Sequence, residues 1–138
     1  MPGRLRIEVG SDHVAEAAVH EAEAPRLAGL LWRALPIDAT LRHVRWSGEA
    51  AYILVGALRD GDTALENETS IYPRGSIILR PEHGEVAFAY GQAQARDHLS
   101  RGAAGCHLAT VDVGLEDFLQ VIARTRQSGA QSVRLRAV

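Results

Sequence analysis

The sequence predicts a mostly β protein: about eight short strands closed into a mainly antiparallel barrel, with two helices capping its ends. Three observations carry this. Both ends of the chain alternate apolar and polar residues with a period of two, the mark of a half-buried strand. Only two stretches repeat apolar residues at helical spacing, one after the second expected strand and one before the last. Between them no strand–helix alternation recurs, which argues against a doubly wound sheet.

Leu5, Ile7 and Val9 share one face of an opening strand from Arg4 to Val9, with Arg4, Arg6 and Glu8 opposite. Gly10-Ser11-Asp12 is a turn. From His13 to Ala24, alanine and glutamate favour helix by propensity, but Pro25 suits only a first helical position. A second strand, Val14 to Glu21, is therefore expected, then a helix from Pro25 to about Leu35 that buries Leu27, Leu30, Leu31 and Ala34. Further strands are expected from Leu41 to Trp46 and from Ala50 to Leu58, separated by Ser47-Gly48. In the first of these, Arg45 and Trp46 face opposite ways, so both line one pocket only where the chain bends.

Asp60-Gly61-Asp62 is a turn leading to Glu66-Asn67-Glu68-Thr69. A hairpin follows: strand Gly75 to Arg80, turn Pro81 to Gly84, strand Glu85 to Tyr90. Gly91 to Gly105 is polar and glycine-ended, and reads as a long mobile loop of the kind that covers sites. A strand from Cys106 to Val111, a helix from Leu115 to Arg126 and a strand from Ser132 to Val138 complete the chain. That helix carries Glu116 and Asp117 in its first turn and buries Leu115, Phe118, Leu119 and Ile122.

Composition excludes several functions. The 138 residues, 46% hydrophobic and 23% charged, fit one folded domain, 1–138, with a substantial core. A formal charge of −2, with basic residues scattered, leaves no footprint for nucleic acid. No apolar run approaches the roughly 20 residues of a membrane span, and the N-terminus lacks a signal-peptide core, so a cytoplasmic location is expected. All 15 basic residues are arginine, which excludes a Schiff-base or P-loop lysine. The single cysteine, Cys106, excludes an internal disulfide, and its strand position reads as a small buried residue. The 6 histidines show no metal-ligand spacing, and no nucleophile elbow, phosphate-cradling loop or dinucleotide fingerprint occurs, so no metal and no cofactor are expected.

Several local motifs follow one another in a recognisable order: Ala24-Pro25, Leu35-Pro36, Arg45-Trp46-Ser47-Gly48-Glu49-Ala50, Glu66-Asn67 with Thr69, Gly75 after Pro73, Ala89-Tyr90-Gly91, His107-Leu108-Ala109-Thr110-Val111 and Gly114-Leu115-Glu116. With them the chain resembles the cyclophilin-like barrel superfamily, specifically bacterial members known only as a domain of unknown function. The resemblance implies an eight-stranded barrel with two capping helices. It does not imply peptidyl-prolyl isomerase activity, since the Phe-His-Arg and Gln-Gly-Gly-Asp segments of those isomerases are absent.

The candidate site residues carry two readings each. Arg45 is a carboxylate clamp with Trp46 as its apolar wall, or half of a surface pair with Glu49. Glu49 or Glu66 is a general base with Asn67 orienting substrate, or Glu66 and Asn67 hold a bulge by bonding backbone. Tyr90, with Gln92 beside it, polarises a carbonyl or packs; His107 is an acid–base group or a satisfied structural histidine. The expected function is binding of a polar or carboxylated small molecule. Its catalytic form is cofactor-independent acid–base chemistry of isomerase, lyase, cyclase or hydrolase type. The alternative is a non-catalytic binding or assembly module, with a homo-oligomer as the possible partner state.

Overall fold

This computed structural model describes residues 3–11, 13–61, 64–96 and 103–138. The opening pair β1 (Arg4–Val9) and β2 (His13–Val19) leads to α1 (Pro25–Ala34), then β3 (Ile37–His43), β4 (Gly48–Leu54) and a 3-10 turn at Gly56–Leu58. Two short strands, β5 (Glu68–Thr69) and β6 (Ile71–Tyr72), precede β7 (Ser76–Arg80) and β8 (Glu85–Gln94). The chain ends with β9 (Gly105–Val113), α2 (Leu115–Ala123), α3 (Thr125–Ser128) and β10 (Gln131–Ala137).

Eight strands run in the order β2-β1-β10-β3-β4-β8-β7-β9, and β9 pairs back to β2 to close the barrel. Neighbouring strands are antiparallel throughout, and short turns connect β1 to β2, β3 to β4 and β7 to β8. Closure leaves no open edge among these eight strands. The interior is filled by alternate residues of each strand, among them Leu5, Ile7, Leu41, Ile53, Phe88, Leu108 and Leu135. Buried Phe118, Leu119 and Ile122 of α2 join this core, and the helix packs on β2, β4 and β8. A smaller apolar cluster covers the outside of the wall, where Ala87 and Ala89 meet Ala50, Tyr72 and Ile78.

The structure moves several expected boundaries. β3 begins at Ile37, immediately after Pro36, because Ile37, Ala39 and Leu41 already alternate toward the core and pair with β10. It stops at His43, and residues 44–47 bend. The strand expected to reach Leu58 breaks after Leu54, where the Val55 N–H turns to the Gly84 carbonyl (2.8 Å) and the 3-10 turn begins. β8 continues to Gln94, so residues 91–94 are strand and not loop; the Ile71 and Tyr72 partners of β6 hold that extension. The second helix divides at Arg124, where the Thr125 hydroxyl donates to the Ile122 carbonyl (2.7 Å). Parts of the turns expected at 10–12 and 60–62, and of the mobile loop expected over 91–105, lie outside the described residues. Among the described residues no helix is long and apolar enough to cross a membrane.

Candidate functional site

The bend at residues 44–47 places Arg45 and Trp46 against the same cleft, the arrangement a regular strand forbids. This groove, about 490 Å³, lies on the outer side of the wall. Tyr52 and Leu54 form its floor, since Ala51 and Ile53 between them point into the core. Arg59, from just beyond the 3-10 turn, His83, from the β7–β8 turn, and Glu85, the first residue of β8, complete the lining. Trp46 is 43% exposed and Leu54 61%, so both present apolar surface to the groove.

The charges of the groove are unbalanced for a local reason. Arg80, itself buried, draws Glu82 at 3.0 Å and Glu85 at 3.8 Å. Burial pushes the Glu85 carboxyl up from its ordinary value, with Arg80 and His83 opposing the rise and Glu82 adding to it. Among the described residues no ion pair occupies Arg45 or Arg59. Two exposed guanidinium groups thus face the groove while its nearest carboxylates are held by a third arginine.

A second cleft of about 310 Å³ adjoins the first through Trp46 and Ser47, with Gly48, Ile71, Gln92, Ala93 and Gln94 around it. Its floor is a bulge. Gly48 pairs with Ala93 and Ala50 with Ala89, so Tyr90, Gly91 and Gln92 together oppose Glu49. The Glu49 carboxylate fills that gap and accepts the Gln92 N–H (2.9 Å). A Cβ at Gly91 would stand 2.5 Å from Glu49 Oε1, so a larger residue there would push the carboxylate out of the gap.

Tyr90 lies on the inner side of the same bulge. His43 Nδ1 is 2.7 Å from the Val44 carbonyl, which only accepts, so Nδ1 carries the hydrogen and Nε2 accepts from the Tyr90 hydroxyl (2.7 Å). Burial raises the Tyr90 phenol; the Arg126 charge pulls it down, and Glu49 pushes it up.

The remaining sequence-predicted residues sit elsewhere. Glu66 reaches back to the start of α1, where Ala24 at the cap position offers no side-chain acceptor. Its carboxylate accepts the N–H of Leu27 (2.8 Å) and of Arg26 (3.2 Å), occupying helix donors that would otherwise be orphaned. Glu66→Ala is expected to cost about 1–2 kcal/mol in urea denaturation, against less than about 0.5 kcal/mol for exposed Glu68→Ala. Asn67, at φ +44°, donates its amide to the His107 carbonyl (2.8 Å) and accepts the His107 N–H on its own carbonyl (3.0 Å).

A register shift in β9 against β7 turns His107 and Thr110 to the same outer face. Both His107 Nε2 (3.0 Å) and His20 Nε2 (2.9 Å) meet the Thr110 hydroxyl. One hydroxyl hydrogen serves only one imidazole, so the other imidazole donates. Burial, then His20, lowers the His107 pKa.

Sequence reasoning thus named residues that the fold distributes among three places: Arg45, Trp46 and the Gln92 side chain in the outer clefts, Glu49 and Tyr90 at the bulge, and Glu66, Asn67 and His107 beside α1 and β9. It missed Tyr52, Arg59 and Glu85, whose chain separations carry no signal. It also missed His43, although the alternation of Leu41 and His43 toward one face was visible.

The profile of a family described as "Protein of unknown function (DUF3830)" matches residues 7–137. No curated protein matches the sequence. Among solved structures, one titled "Structure of McbB in complex with tryptophan" superposes with a TM-score of 0.74 at 20% identity, covering 96% of this chain and 44% of that one. This chain therefore spans less than half of the McbB chain. The solution structure of the hypothetical protein AF2241 from Archaeoglobus fulgidus gives 0.61 at 18% identity, covering 98% of this chain and 94% of that one. These likenesses concern the fold, and the closed eight-stranded barrel with its helices is the cyclophilin-like architecture.

Proposed function

This chain belongs to the DUF3830 family, and we propose that its outer groove binds a small molecule bearing a carboxylate on a flat apolar body. The carrying observation is the pair of guanidinium groups, Arg45 and Arg59, without ion pairs among the described residues, beside the exposed Trp46 and the Tyr52 floor. A guanidinium fork matches a carboxylate, and the apolar wall takes the ring. That McbB was solved in complex with tryptophan, a carboxylate on a flat apolar body, supports this reading.

Thermal-shift measurements with benzoate, phenylacetate and indole-3-acetate, each beside its neutral amide, test the proposal. A ligand at a hundred times its dissociation constant adds about 2.7 kcal/mol of stability. The acids should stabilise the protein and the amides should not. Arg45→Ala should weaken the acids by about 10- to 100-fold while its own melting stays within a degree or two, since Arg45 is exposed. Equal shifts from acids and amides, or full binding by Arg45→Ala, would contradict it.

A second reading, cofactor-independent acid–base chemistry, is favoured by one observation: the fixed tautomer of His43 and its bond from Tyr90, with Arg126 against the phenol. There the Tyr90 hydroxyl passes its proton to His43 Nε2 while its oxygen takes a proton from the ligand, so that the pair acts as a base with Glu49 the neighbouring carboxylate. Glu66 and His107 were candidates for the same chemistry, but their hydrogen bonds give them other occupations. Turnover of a groove ligand that falls by 100-fold or more in Tyr90→Phe, with binding retained, would support this reading; unchanged turnover would remove it.

A further inference from the structure

We propose that the ligand of the outer groove is elongated, and that its far end is an uncharged amide or ketone carbonyl held in the second cleft by Gln92. This rests on the binding reading of the groove and deepens it. The two clefts, of about 490 and 310 Å³, share Trp46 and Ser47, so a ligand lying on the indole reaches both. Their chemistry differs. The first carries Arg45 and Arg59; the second is lined without a charged side chain.

The polar groups of the second cleft define what it recognises. Oriented to satisfy its surroundings, Gln94 turns its amide oxygen to the Arg96 guanidinium (3.0 and 2.7 Å), which holds this side chain in place. The Gln92 backbone N–H is taken by Glu49, whereas its exposed side-chain amide has no partner among the described residues. The Gln92 amide N–H beside apolar Ile71 suits a carbonyl oxygen flanked by carbon. An acid at one end, a ring on Trp46 and a neutral carbonyl at the other make an acylamino-aryl carboxylate the matching class. A small aromatic acid alone would leave the second cleft empty.

Calorimetric titration of the full chain with 4-acetamidophenylacetate and with phenylacetate tests this, in wild type, Gln92→Ala and Arg45→Ala. Gln92 is exposed and its backbone bond to Glu49 survives truncation, so the variant folds. The wild type should bind the acetamido acid about tenfold more tightly. In Gln92→Ala that ratio should fall to about one, whereas in Arg45→Ala both acids should weaken together and the ratio should persist. Equal affinity of the wild type for the two acids, or a ratio untouched by Gln92→Ala, overturns the elongated-ligand proposal. If phenylacetate still depends on Arg45 in either case, the groove reading stands. Failure of both acids to bind wild type overturns both.

Discussion

Replacing Gly48 with alanine is expected to destabilise the protein by about 3 kcal/mol or more, among the largest effects of any single methyl group in this chain. Two causes act together. Gly48 sits at φ +104°, a conformation that L side chains rarely adopt. A Cβ there would also fall on the carbonyl oxygen of Gln92 and stand 3.2 Å from the Ala93 Cα, both backbone atoms that a side-chain rotation cannot clear. The strand pair would have to separate at the bulge, shifting Trp46, Ser47 and Gln92 with it. Urea denaturation measures the loss. Gly56→Ala is the control: an added Cβ meets nothing within 4 Å, so the change should stay within about 0.5 kcal/mol. Equal stabilities for the two variants would contradict this account of the bulge.

Stability is expected to collapse between about pH 9 and pH 12. Burial pushes the Cys106 thiol up to about 12, with Glu66 adding to the rise, and burial pushes the Tyr72 phenol up to about 12. In the unfolded chain these groups titrate near about 8.5 and 10. Both are neutral when protonated, and the folded state holds the proton more tightly. Their contribution is therefore complete below the unfolded values and is lost as pH rises toward the folded ones. At about 1.4 kcal/mol per unit, the loss is on the order of 5 kcal/mol for Cys106 and 3 kcal/mol for Tyr72, comparable with the whole stability of a small domain. The sequence has no lysine, so few other side chains titrate in this window, and the arginines stay charged. Denaturation at pH 7, 9.5 and 11 should show the fall in the wild type. A flatter profile is expected in Cys106→Ala and in Tyr72→Phe; slopes identical to wild type would refute the assignment.

The legible parts of the sequence are those governed by neighbours along the chain. Leu5, Ile7 and Val9 alternate, and their strand is where the pattern puts it. Pro25 opens α1, and Phe118, Leu119 and Ile122 bury the face of α2 expected of them. Cys106 reads as a small apolar residue and is fully buried. The illegible parts depend on contacts that periodicity does not encode. Register shifts at Gly48/Ala50 and Ile77/Ile78 each turn a side chain to a face that simple alternation denies it; thus His107 and Thr110, three apart, share a face, and the Thr110 hydroxyl meets both His107 and His20. Glu66 looks like a site carboxylate because its partners, the N–H groups of Arg26 and Leu27, lie about forty residues back in the chain. Arg45 and Trp46 could be named, and their joint placement tied to a bend, but Arg59, Tyr52 and Glu85 reach the groove only through tertiary structure.

The central claim, an anion-binding groove walled by Trp46, has a direct reporter. The chain contains 2 tryptophans, so a nitrogen-15 correlation spectrum shows two indole N–H signals. Trp32 donates its indole N–H to Glu21 (2.9 Å) away from the groove, which makes it an internal reference. Titration with phenylacetate should move the Trp46 signal along a saturating curve, leave Trp32 in place, and lose that movement in Arg45→Ala. Both indoles still at millimolar phenylacetate, or a Trp46 shift of equal size in Arg45→Ala, would contradict the claim.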